Sequence, residues 1–97
     1  MSIIFLLPVK NAREYFDPEG IKNDANFIDY VARYADKVVE NVQQRYPDHE
    51  VDWSYDWETL GGTHWALPVD TMEEDEESAL RDELKIIADS VWDNQDF

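Results

Sequence analysis

Residues 51–58 read Val51-Asp52-Trp53-Ser54-Tyr55-Asp56-Trp57-Glu58, an alternation without a miss. Successive side chains of a strand point to opposite faces, so this stretch is a strand with one aromatic face and one acidic face. The aromatic face asks to be buried. The acidic face, with Asp52, Asp56 and Glu58 at every second or fourth residue, asks for a solvent or a partner.

Working outward, Thr59-Leu60-Gly61-Gly62 supplies the glycines of a hairpin turn, and residues 63–69 return as a second strand. In that strand Trp65, Leu67 and Val69 share one face, and Pro68 marks an edge or an end. Residues 2–9, rich in Ile, Leu and Phe and closed by Pro8, form a strand that is apolar on both faces. A single helical turn at 12–16 and a DPEG turn at 17–20 follow.

From 24 to 46 the period is helical, with Phe27, Ile28, Val31, Ala35, Val38, Val39, Val42 and Tyr46 on one stripe. Asn23 or Asp24 caps its start and Pro47 marks its end. Its outer side mixes signs, with Asp29 and Arg33 one turn apart. A second helix spans about 72–93, on the stripe Leu80, Leu84, Ile87, Ala88 and Val91. Thr71 and Glu74 form a capping box before it, and the four last residues, NQDF, fray.

The expected fold is therefore α+β in the order β-α-β-β-α. A three-stranded, largely antiparallel sheet carries two helices on one face, in a single acidic domain over residues 1–97. This packing buries Val51, Trp53, Tyr55 and Trp57 and leaves apolar residues near Ile4 and Leu6 on the open face, which hints at a homodimer or a partner contact.

Charge is the unusual feature of the composition. Twenty-three acids face eight bases, for a net −15, and residues 51–97 hold fourteen of the acids with only Arg81 and Lys85 opposing them. Such a field argues against direct contact with nucleic acid or an anionic membrane and for a cationic partner. The first nine residues lack the basic start and cleavage site of a signal peptide and are too few to span a bilayer. With no cysteine, a cytoplasmic location is expected.

Catalytic signatures are missing from the sequence. His49 and His64 stand in no metal-ligand spacing and read as surface or edge histidines. No phosphate-binding, dinucleotide or nucleophile-elbow motif occurs, and the acids at 17–26 miss the calcium-loop pattern because Ile21 takes a ligand position. Pro47-Asp48 and Glu83-Leu84-Lys85 spell pieces of a nuclease signature, but the second piece lies within a helix and the chain repels its substrate. No enzyme, cofactor or metal is expected.

A row of carboxylates has a use without catalysis. Residues i and i+2 of a strand lie about 6.8 Å apart. Successive phosphates of one DNA strand are separated by roughly 7 Å once winding is added to the rise. A compact chain of this length has a diameter of roughly 32 Å, over which duplex DNA carries about 19 charges. In composition and size alone, the chain resembles the phage-encoded inhibitors of restriction and CRISPR systems. That resemblance implies a nucleic-acid mimic in the basic cleft of a DNA- or RNA-binding protein, with Asp52, Asp56, Glu58, Glu73, Glu74, Glu76, Glu77, Asp82, Glu83, Asp89 and Asp93 as the binding acids. Two alternatives are an immunity protein or antitoxin against a basic nuclease, marked by exposed aromatic anchors such as Tyr55, Trp57, Trp65 or Trp92, and a non-enzymatic acidic domain adapted to high salt.

Overall fold

The computed structural model describes residues 2–10, 12–17, 19–56, 63–68, 72–95 and 97, the side chain of Asp24 excepted. In chain order the elements are β1 (Ser2–Pro8), α1 (Ala12–Phe16), α2 (Asp24–Arg45), β2 (Glu50–Asp56), β3 (His64–Ala66) and α3 (Glu74–Asn94). The α+β class stands, with both long helices on one face of a three-stranded sheet.

The sheet is mixed, in the order β2-β1-β3. β1 runs parallel to β2 over all seven residues and antiparallel to β3 over three. The expected β2–β3 hairpin is therefore wrong, and the longer pairing is parallel; the proposed turn at 59–62 lies outside the described residues. The reason is the apolar character of β1. Placing the most apolar strand at the centre gives it a neighbour on each edge, and it lets Trp65 stack on Phe5 at 4.5 Å between ring centroids. A parallel neighbour needs a crossover connection, which α2 provides.

Paired residues share a face, so the register assembles one core side from Ile3, Phe5 and Leu7 with Val51, Trp53, Tyr55 and Trp65. Ile3, Phe5 and Leu7 are fully buried. Against them pack Val31, Tyr34, Ala35, Val38 and Val42 of α2 and Leu80, Leu84, Ala88 and Val91 of α3. Tyr34 meets Phe5 edge-on and donates its hydroxyl to the Ala88 carbonyl at 3.4 Å. The aromatic face of β2 is only partly covered, because β2 is an edge strand: Val51 and Trp53 are half-buried and Tyr55 is exposed. Trp57 lies outside the described residues.

Side chains occupy part of each sheet edge. At the β2 edge Gln43 accepts from the Val51 N–H (3.3 Å), and the Asp52 carboxylate accepts from the Trp53 N–H (2.8 Å). At the β3 edge Arg81 of α3 donates to the Trp65 carbonyl at 2.9 Å. Edge N–H and C=O groups partnered in this way are poor templates for strand addition. β3 is shorter than the sequence predicts, and Val69 lies outside the described residues.

Helix ends follow local chemistry with two departures. Asn23 caps α2, its side chain accepting from the Asn26 N–H at 2.9 Å. The expected capping box of α3 is replaced by a start at Glu74 behind Glu73, whose side chain makes no cap bond; Thr71 lies outside the described residues. Four acids in the first turn, Glu74, Asp75, Glu76 and Glu77, favour that end through the helix dipole instead. The second departure is the tail. Rather than fraying, it turns through Gln95 in the left-handed region (φ 52°), and Phe97 lies 5.1 Å from the Tyr30 ring and 5.4 Å from the Tyr34 ring. Gln95 also accepts from the Tyr30 hydroxyl at 3.0 Å.

Between β1 and α2 the chain is organised by Asp17, which is buried. Its carboxylate accepts from the backbone N–H groups of Lys22 and Ile21 and from Arg13. The Lys22 amide, the larger effect, holds this carboxyl below its ordinary range, and burial works in the opposite direction.

The turn from α2 into β2 hangs on Gln43. Its amide nitrogen donates to the carbonyls of Tyr46 (3.1 Å) and His49 (2.6 Å) while its oxygen serves Val51. Gln43→Ala is expected to lower unfolding stability by about 1–3 kcal/mol, the range for losing such bonds at a partly buried site. Urea denaturation checks this, with an unchanged midpoint as the contrary result.

Candidate acidic interface

The buried stripe of α3 is Leu80, Leu84, Ala88 and Val91. At 100° per residue, the opposite side carries Asp75, Asp82, Ile86, Asp89 and Asp93, all exposed. Asp75, Asp82 and Asp89 repeat at seven-residue steps, about 10.5 Å each. Among the described residues these four aspartates make no ion pair. Ile86, 67 % exposed, stands in the middle of them. Asp75 and Ile86 are absent from the set that the sequence suggests, yet the seven-residue spacing of the aspartates marks this side.

Three of the expected binding acids are engaged within the molecule. Glu83 accepts from the Tyr46 hydroxyl at 2.6 Å and from Arg45 at 2.5 Å, tying α3 to the end of α2. These two bonds, Tyr46 first, hold its carboxyl below the ordinary range. The Tyr46 phenol is pushed up to about 12, by burial first and by Glu83 second. Glu77 pairs with Arg81 at 2.9 Å, and through Arg81 supports the β3 edge. Asp56 pairs with His64 at 3.0 Å, across β1 on the open sheet face. These contacts are structural reasons for the three acids and withdraw them from a free row. Glu58 lies outside the described residues.

The remaining acids divide between two surfaces. Glu73, Glu74, Glu76, Asp82, Asp89 and Asp93 are exposed along or just before α3. Asp52 is exposed on the open side of the sheet. Because the helices cover the other side of that sheet, Asp52 and the outer side of α3 point in opposite directions. No single face holds all of the expected acids.

The histidines also stand apart. His49 stacks on Tyr46 at the turn before β2, while His64 begins β3 at the other end of the sheet. Among the described residues, no group of three or more His, Asp or Glu side chains gathers as a metal site. No described helix is long and apolar enough to cross a membrane. An apolar hollow of about 400 Å³ opens beyond the carboxyl ends of β1 and β2, lined by Pro8, Val9, Ala12, Phe27, Ile28 and Tyr55 among others. The chain matches no family model, and neither a curated protein nor a solved structure matches it.

Depression of the Glu83 carboxyl has a stability consequence with a definite sign. A carboxyl whose folded pKa is lowered contributes stability above its unfolded value, about 4.3 for glutamate, and loses it as pH falls through the folded value. Wild type is expected to exceed Glu83→Gln in stability at pH 7, with the gap closing below pH 4.3. Chemical denaturation of both proteins across that range checks it; a gap independent of pH contradicts it.

Proposed function

We propose that this protein is a nucleic-acid-mimic inhibitor that presents the outer side of α3 to the basic cleft of a DNA- or RNA-binding protein. The observation that carries the reading is the charge density of that helix. Its 21 residues span about 31 Å and include eight acids against Arg81 and Lys85. One strand of DNA carries about nine phosphates over that length. Glu77 and Glu83 are engaged internally, and the other six are exposed.

A rigid rod of carboxylates suits a cleft already shaped for phosphates, because steering brings a cationic site toward it quickly and the cleft's lysines and arginines find acceptors in place. Rigidity here comes from the Tyr46–Glu83–Arg45 link and the buried stripe, which fix α3 on the core. Nucleic acid itself is repelled, so the partner is a protein. The reading carries no catalysis and no cofactor, and it places the protein in the cytoplasm, where such partners work.

A second reading, neutralisation of a basic nuclease toxin, draws on a different observation. Tyr55 is 39 % exposed and Ile28 61 % exposed, and both line the apolar hollow. Aromatic and apolar anchors beside a charged surface are characteristic of tight protein–protein interfaces. Trp65, by contrast, is buried and Trp92 half-buried, so they supply no such anchor.

Capture from a lysate of the producing cells, at low and high salt and with added duplex DNA, separates the readings. A nucleic-acid-binding protein released by DNA supports mimicry, and a basic toxin retained despite DNA supports neutralisation. The triple variant Asp82→Asn, Asp89→Asn and Asp93→Asn is expected to weaken the captured partner's affinity tenfold to a hundredfold, about 1.4–2.8 kcal/mol, at unchanged fold. Titration calorimetry measures it, and an unaltered affinity removes α3 from the interface.

A further inference from the structure

β1 and β2 form a parallel pair, and parallel sheets are almost always covered on both faces. Here one face bears the helices. The other, on the described residues, bears none: Asp52, Ser54 and Ala66 are exposed on it, and Ile4 and Leu6 are half-buried on its central strand and take no part in the core. Register sets Ile4 between Asp52 and Ala66, and Leu6 between Ser54 and His64. The result is an apolar ridge with an acidic flank on the β2 side, Glu50 and Asp52, and a small, uncharged Ala66 on the β3 side.

We infer that this open face is a second docking surface, for a basic amphipathic helix of a partner protein. Its dimensions fit. Three strands span about 10 Å between the outer axes and seven residues of β1 run about 23 Å. A helix is 10–12 Å wide, and about fifteen residues of it cover 23 Å. An apolar stripe at i, i+3, i+4 and i+7 lies over Ile4, Leu6 and Ala66, while lysines or arginines on one flank reach Glu50 and Asp52. Charge selects this occupant over a second copy of the chain, since two molecules of net −15 repel each other while a basic helix is attracted to Glu50 and Asp52. The inference does not rest on the role given to α3, which faces the other way. Asp52, one of the acids expected at the partner site, belongs to this surface.

The test titrates the full, ¹⁵N-labelled chain with a synthetic fifteen-residue helix of leucines at three- and four-residue spacing and lysines elsewhere. Its control is a peptide of the same composition in scrambled order. The largest amide shifts are expected at Ile4, Leu6, Asp52 and Ala66, with the scrambled peptide at least tenfold weaker. Ala66→Lys and Asp52→Lys, both at exposed positions and each checked for an unchanged spectrum elsewhere, are each expected to weaken binding tenfold or more. The Asp82, Asp89 and Asp93 triple variant is expected to change it less than threefold. Shifts centred on α3, equal binding of the scrambled peptide, or an unaffected Ala66→Lys would overturn the inference. So would a dimer seen by sedimentation and abolished by Ala66→Lys, which would assign the face to a second copy.

Discussion

Phe5 sits where the structure is held together. It lies on the central strand, with Trp65 of β3 stacked on its ring and Tyr34 of α2 meeting it edge-on. Its register partner on the other side is Trp53. The strand around it is apolar on both faces, and a strand of that kind is most stable with a neighbour on each edge. Once β1 is central, β2 must arrive parallel through the α2 crossover and β3 must take the far edge. The edge bonds from Gln43 and Arg81 and the placement of both helices on one face are built on that arrangement.

Charge is distributed unevenly around this core. Several acids that meet a partner inside the molecule, Asp17, Asp56, Glu77 and Glu83 among them, tie neighbouring segments together, whereas Asp29 and Glu40 pair within α2. Acids on the outer side of α3 meet none among the described residues. Glu83, and Glu77 through Arg81, fix α3 on the rest of the molecule, and the acids of its outer side give it a field. For a basic cleft, docking on such a surface costs less conformational entropy than docking on a flexible acidic tail, because the helix backbone that carries the carboxylates is already fixed.

Local patterns made much of the fold legible. The helical period located α2 and α3, alternation located β2, and the apolar run located β1. Strand order was not legible, since Gly61-Gly62 favoured a hairpin and nothing local reports that Trp65 prefers Phe5 to a β2 neighbour. Phe97 was equally hidden, because its binding to Tyr30 and Tyr34 is set by residues more than sixty positions away. The acids were visible as a total but not as individuals. Glu83 meets Tyr46 and Arg45 across 37 and 38 residues, and Asp56 meets His64 only because both strands flank β1. The seven-residue spacing of Asp75, Asp82 and Asp89 marks the outer side of α3 in the sequence, and Ile86, four residues after Asp82, falls on that side.

The central claim, that the outer side of α3 enters a nucleic-acid cleft, is tested most directly by a photo-reactive amino acid at position 86 in the producing cells. Ile86 is exposed among the four aspartates, so the probe sits within the proposed contact without altering the core. Irradiation and mass spectrometry should find a cross-link to the nucleic-acid groove of a basic protein, and added DNA should suppress it. A cross-link to a surface remote from any such groove, or none above that of the same probe at Ile28, would contradict the account.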